Sequence, residues 1–324
     1  MALGLKKGDY LWTSPVTFVA STNCALYCGA KVDLVDVSPL TYNLCPNKLE
    51  TKLKKAKIKG NLPKIVVAVH LSGQSCDMQS IHKLSKRYNF KVIEDASHAI
   101  GGKYQNKLIG NSKYSDITVF SFHPVKIITT AEGGVALTNN SSIAEKLFLL
   151  RQHGINKKKN KMINLPHGGW YYEQIELGFN YRMNDIQAAL GLSQLKRLDK
   201  FVNQRKKLAI RYDNLINTKK IIKPYQEKYN QSSWHLYIIR LKLDKIKESH
   251  QIIFSKLRNA GIGVQLHYIP IHIHPFYKKY FKINKKNLEE SENYYKEALS
   301  IPIYPGLKFS DQDFIISKLE EIIN

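Results

Sequence analysis

Two apolar patterns alternate through the first half of the chain. Short, nearly unbroken apolar runs lie at 31–37 (KVDLVDV), 64–70 (KIVVAVH), 91–95 (KVIED), 116–122 (DITVFSF) and 134–138 (GVALT). Rich in Val and Ile, they predict strands buried on both faces. Between them the period changes. Segment 78–90 spaces Met78, Ile81, Leu84 and Tyr88 along a helical face. Segment 141–153 opens with Ser141 and Ser142 and places Ile143, Leu147 and Leu150 on one side, with Gly154 where a helix C-terminus favours it. Segment 17–28 reads as a helix that stops at Gly29. Strands alternating with helices predict an α/β protein with parallel strands and right-handed crossovers. In such sheets ligands bind beyond the carboxyl ends of the strands.

The second half has another rhythm. Residues 183–216 read as one long helix interrupted only by Gly191. A strand at 234–241, a helix at about 248–260 closed by Gly261, and a strand at 263–268 follow. Helices are expected near 287–299 and 310–323, the last capped by Ser310 and Asp313. This predicts a smaller α+β domain, with the boundary near 195–215. The 324 residues divide at ~150 per domain into a large unit, 1–200, and a small C-terminal unit, 201–324.

Charge sharpens the picture. Lys and Arg total 50 against 26 acidic residues, a net +24. Only eight of the 50 are Arg, and the Lys residues are spread along the chain. Nucleic-acid recognition favours the Arg fork, so a nucleic-acid partner is not expected. The dense runs 52–59 (KLKKAKIK) and 157–161 (KKKNK) read as a solvated helix face and a loop. No apolar run approaches the ~20 residues of a membrane span, and MALGLKKGDYLW lacks a signal-peptide pattern. A cytoplasmic protein is expected. Cys24, Cys28, Cys45 and Cys76 contain no CxxC pair and read as reduced, mostly buried thiols rather than a zinc site.

Three segments carry candidate chemistry. In EDASHAIGG, 94–102, Asp95 ends a buried strand and His98 follows three residues later. In FSFHPVKIITTAEGG, 120–134, Lys126 sits among Val125, Ile127 and Ile128. Desolvation lowers a lysine's pKa and frees its amine for attack on a carbonyl. Small residues in the Glu132-Gly133-Gly134 turn would let backbone approach a ligand closely. In ELGFNYRMND, 176–185, Asn180, Tyr181 and Arg182 precede the long helix. A strand-end carboxylate with a desolvated lysine 31 residues later suits pyridoxal 5'-phosphate (PLP) chemistry. The lysine condenses with the aldehyde, and the carboxylate pairs with the pyridinium nitrogen. Ser121, five residues before Lys126, is placed to hold the phosphate.

DASHA, SFHPVKIITTAEGG and ELGFNYRMNDIQAALGLSQLKRLD strongly resemble the DegT/DnrJ/EryC1 family of PLP-dependent sugar aminotransferases. The likeness runs from LGLKKGDYLWTSPVTFVAS to LHYIPIH and IPIYPGL. It implies the aspartate aminotransferase-like fold (fold type I) and a role for each matched residue. Lys126 would carry the cofactor and shuttle protons, and Asp95 would pair with the ring nitrogen. His98 would hydrogen-bond the phenolic oxygen, Ser121 would bind the phosphate, and Phe18 would stack on the ring. Asn180 would reach the phosphate from the second subunit of a homodimer. Tyr181, Arg182, His267 and Tyr268 would grip a nucleotide sugar. GQSCDM at 73–78 adds a likeness to members that aminate the C4 ketone of a UDP-linked 4-keto-6-deoxy amino sugar in pseudaminic acid biosynthesis, with glutamate as donor.

Lys126 argues against the family branch that dehydrates sugars with His at that position. Family members carry several dozen residues before LGLKKGD, including a Ser/Thr-rich loop that cradles the phosphate; this sequence starts inside the following segment. The resemblance therefore implies weakened PLP binding and dimer packing in this chain. Another nucleotide-sugar aminotransferase, or an inactive remnant, is the alternative.

Overall fold

The computed structural model describes residues 1–279 and 285–324. A six-stranded sheet organises the first half. Its strands are β1 (Tyr10–Thr13), β2 (Lys31–Leu34), β3 (Ile65–Val69), β4 (Lys91–Asp95), β5 (Ile117–Ser121) and β6 (Gly134–Leu137), in the order β2-β1-β3-β4-β5-β6. Five run parallel, in register Val69↔Asp95 and Asp95↔Val119 at the carboxyl end. β6 is antiparallel to β5, so the sheet is mainly rather than wholly parallel. The connection 122–133 contains no helix to make a crossover, so the chain turns straight back. The short YLWT strand β1 was not expected from the apolar pattern.

Side-chain alternation fixes both faces of β3. Val66 and Ala68 pack with Leu49 and Leu53 of α2 (Pro46–Ile58) and Met78 and Ile81 of α3 (Met78–Tyr88). Ile65, Val67 and Val69 pack with Ala25 of α1 (Ala20–Tyr27). The lysine-rich run 52–59 thus includes the outer face of α2, while Leu53 and Ala56 are buried. Asp77 caps α3 through Ser80 N–H, and Asn89 closes it in the left-handed conformation. The next helix, α4 (Ser141–Leu150), is capped by Asn140 rather than by its opening serines.

Residues 183–216 form two helices, α5 (Asp185–Leu195) and α6 (Leu198–Leu215). The break falls at 196–197, and Gly191 is an interior residue of α5. A Cβ at Gly191 would lie 2.8 Å from the Thr130 methyl, so this glycine serves close packing against the Lys126 loop. The second half is built on β7 (Ile221–Ile222), β8 (Tyr237–Leu241) and β9 (Ala298–Ile301), an antiparallel sheet in the order β7-β8-β9. Its core joins Tyr212 of α6, Ile253 and Leu257 of α7 (His250–Asn259), and Ile315 and Leu319 of α9 (Phe309–Ile323).

The helix expected near 287–299 is α8 (Glu289–Glu297), and residues 298 and 299 belong instead to β9. Three expectations fail. The expected strand 263–268 makes only a bridge, Gln265↔Ser300. Ser310 and Asp313 do not cap α9: the Asp311 carboxylate accepts from Lys308 N–H, and Asp313 pairs with Arg211. Of the four free thiols only Cys76 is buried and Cys24 is exposed, so they are not mostly buried. Among the described residues no helix is long and apolar enough to cross a membrane.

Candidate active site

The carboxyl ends of the parallel strands collect the chemistry. Asp95 is the last residue of β4, and its carbonyl accepts from His70 N–H just beyond β3. Its carboxylate is held on both oxygens. Ser21 Oγ donates to Oδ2 at 2.6 Å; Ser97 donates to Oδ1 through Oγ at 2.6 Å and N–H at 3.2 Å. Ser97 makes the local turn common after an Asp, but Ser21 comes from α1.

Lys126 follows β5 in a loop closed by its own hydroxyls: Thr129 Oγ1 donates to the Phe122 carbonyl and Thr130 Oγ1 to the Glu132 carbonyl. The flanking Ile127 and Ile128 are buried. Burial lowers the Lys126 pKa, and the Asp95 charge partly opposes it. The amine is thereby shifted toward its neutral, nucleophilic form. Gly134 does not serve ligand approach, as expected of the turn, because a Cβ there would lie 2.8 Å from the Phe120 carbonyl across the β5–β6 pair.

Five rings close the site. Tyr268 OH and His98 Nε2 are 2.9 Å apart, and those rings stack at 5.9 Å. His235 lies 4.4 Å from His98, ring to ring, and Phe18 6.1 Å from Tyr268. His267 is anchored by Ser300 Oγ at 2.9 Å. Burial, then neighbouring positive charge, pushes His98 and His235 well below the ordinary histidine range, and brings His267 to about 4. All three rings are neutral at pH 7. Burial and the Asp95 charge push the Tyr268 phenol up, so it stays protonated. The Nδ1 atoms of His98 and His235 are buried without a partner. A buried polar atom without a partner is costly and marks where a ligand would bond.

Beneath Asp95 lies a buried polar network the sequence reading did not single out. Glu94 Oε2 accepts from His70 Nε2 at 2.8 Å, and its other oxygen accepts from Ser115 and Thr118. His70 Nδ1 accepts from Cys76 N–H, which fixes the ring as the neutral Nε2–H tautomer, since a second ring N–H would face that donor. Burial raises the Glu94 pKa, but these donors outweigh it and hold the carboxyl below its ordinary range. A Glu inside an apolar strand was the signal for this network.

The remaining expected residues divide. Ser121 ends β5, and Phe18 is exposed just before α1. Asn180, Tyr181 and Arg182 are not gathered into the cluster. They lie on an exposed segment tied to α4, where Asn180 bridges Gln152 and Tyr181 N–H donates to the Arg151 carbonyl. A cavity of about 640 Å³, lined by Val125, His235, Gln265, His267, Ser300 and Tyr304, opens beside the rings. Its size is that of small-molecule sites.

The mainly parallel sheet with its flanking helices is that of the PLP-dependent aminotransferases of fold type I. The chain belongs to the DegT/DnrJ/EryC1/StrS aminotransferase family, matched over residues 1–320. It is 39% identical over 323 residues to the UDP-4-amino-4,6-dideoxy-N-acetyl-beta-L-altrosamine transaminase of Campylobacter jejuni, covering 99% of this chain and 81% of that protein. It is 35% identical over 324 residues to a spore coat polysaccharide biosynthesis protein of Bacillus subtilis, covering 99% and 81%. Among solved structures, an aminotransferase of Helicobacter pylori involved in pseudaminic acid biosynthesis superposes with TM-score 0.87 at 31% identity, covering 98% and 80%. A family aminotransferase from Brucella abortus gives TM-score 0.88 at 28% identity, covering 100% and 82%.

Proposed function

We propose that this sugar-aminotransferase family member moves an amino group from glutamate to the C4 ketone of a UDP-linked 4-keto-6-deoxy amino sugar, in pseudaminic acid-type biosynthesis. The observation that carries the reading is the desolvated Lys126 amine within electrostatic reach of Asp95, beside the unpartnered His98 nitrogen. The likeness to the Campylobacter jejuni transaminase supports the choice of sugar. The residues present fit PLP. Asp95 retains acceptor capacity on both oxygens, His98 is neutral, and Lys126 is shifted toward the free amine.

When bound, PLP supplies the electron sink that stabilises a carbanion beside the amino group. Each of this chain's residues then has a task. Asp95 would hold a proton at the ring nitrogen, Phe18 would cover the ring, His98 would meet the phenolic oxygen and Ser121 the phosphate. The Lys126 amine would take a proton from one carbon and return it to another within each half-reaction, acting as base and then as acid, which suits an amine tuned toward neutral pH. His267 and Tyr268 line the way to the sugar. The cavity of about 640 Å³ beside them receives it.

The active form is a homodimer. Leu165, Trp170, Leu177, Tyr181 and Ile186 are each more than 70% exposed on one stretch of chain. Apolar exposure on that scale marks an interface. Asn180, Tyr181 and Arg182 lie on the same stretch and would reach the partner's cofactor and substrate. Residues 1–200 form the PLP-binding unit and 201–324 the small unit, and the protein works in the cytoplasm.

Titration of the purified chain with PLP, followed by visible absorbance, tests the reading. A band that borohydride traps on the peptide containing Lys126, that glutamate bleaches, and that Lys126→Ala lacks is the expected result. Amination of a UDP-4-keto-6-deoxy sugar by the glutamate-treated protein would complete it. Absence of any band with PLP would overturn it.

A further inference from the structure

The grip on Asp95 has a second element that the assigned roles leave out. Ser21 Oγ lies 2.6 Å from Asp95 Oδ2 and 2.9 Å from Thr17 Oγ1. Both hydroxyl residues are buried. An ionised carboxylate only accepts, so the Ser21 proton is committed to Asp95. The shared hydrogen bond between the two hydroxyls must then run from Thr17 to Ser21. The result is a directed chain, Thr17 to Ser21 to Asp95, ending on charge, and each link polarises the next.

We propose that Ser21, backed by Thr17, is a positioning residue that sets the orientation of the Asp95 carboxylate toward the cofactor's ring nitrogen. The inference rests on the PLP reading above. Three features carry it. The Ser21 bond is short and charge-assisted, the class worth most. It is tertiary, 74 residues apart, so it fixes a rotation that the local Ser97 turn leaves free. And Ser21 lies one turn beyond Phe18, with Thr17 on its other side, so one short segment steadies both the ring's face and its nitrogen edge. With Ser21 on Oδ2 and Ser97 on Oδ1, each oxygen keeps acceptor capacity for the ring N–H.

The test is PLP affinity, from absorbance titration of the full chain, set beside the melting temperature without PLP. Ser21→Ala should weaken PLP about tenfold, more than the accompanying fall in melting temperature without PLP accounts for. Thr17→Val, which removes only the outer link, should cost less, and Ser21→Thr, which keeps the donor, should restore affinity. Wild-type affinity in Ser21→Ala would overturn the inference. So would a loss matched by an equal fall in stability, or a larger loss in Thr17→Val. Asp95→Asn separates the two ideas: if it fails to weaken PLP, or if the wild-type chain binds none, the PLP reading itself falls.

Discussion

The strand-end cluster and the stretch 163–195 treat their side chains in opposite ways. Around Asp95 the carboxylate and the Tyr268 phenol are partnered within the same chain, the His98 and His235 rings are buried and neutral, and only their Nδ1 atoms are left open for a ligand. Along 163–195, Ile163, Leu165, Trp170, Leu177, Ile186 and Leu192 face outward, although a soluble fold buries such residues where it can. The first region packs within the chain, and under the proposed homodimer the second would pack against the partner subunit. Asn180, Tyr181 and Arg182 belong to the second region. A site drawn from both regions would be complete only in the assembly, which ties activity to protein concentration.

The difference can be probed from the largest effect down. Lys126→Ala should cut the glutamate half-reaction by at least about 10²–10⁴-fold while the chain stays folded; stopped-flow absorbance and circular dichroism read the two. Glu94→Ala should destabilise by about 3 kcal/mol in urea unfolding, because it strands buried donors on His70, Ser115 and Thr118. If the loss is under 1 kcal/mol, the network beneath Asp95 is not a stabilising element. Trp170→Asp should weaken self-association at least about 30-fold, measured by sedimentation equilibrium, with secondary structure intact. An unchanged association would show that 163–195 is not the interface.

Acid should reach the first region before the second. His98, His235 and His267 have native pKa values below the unfolded 6.5, so the unfolded chain binds more protons as pH falls. Their contribution is present above 6.5 and is lost as pH drops, for His267 down to about 4. Each group contributes at most about 1.4 kcal/mol per pH unit. Urea midpoints that stay flat from pH 6.5 to 4 would contradict the buried, neutral rings. The smallest effect is expected from Arg182→Ala. It should raise KM for the nucleotide sugar several-fold, about 1 kcal/mol, with kcat and melting temperature unchanged.

Sequence pattern alone determined the alternating α/β half, because strands buried on both faces must be apolar throughout and helices packed on one side must show a helical period. All five strands expected in the first half and the one expected at 234–241, with α3 and α7, stand within a few residues of their predicted places. Lys126 and Asp95 were legible for a related reason: a Lys among Ile and Val, and an Asp ending an apolar run, break a pattern whose purpose is burial. Only the tertiary structure decided the rest. The reversal of β6 and the placing of residues 298 and 299 in a strand rather than a helix depend on which neighbour offers a free edge, and no local periodicity records that. Ser21, Thr17, Glu94 and His235 were invisible as site residues because Ser, Thr, Glu and His are common and mostly solvated. What singles them out is a partner far along the chain, as when the Ser21 hydroxyl meets Asp95 across 74 residues, and such meetings exist only once the sheet has assembled.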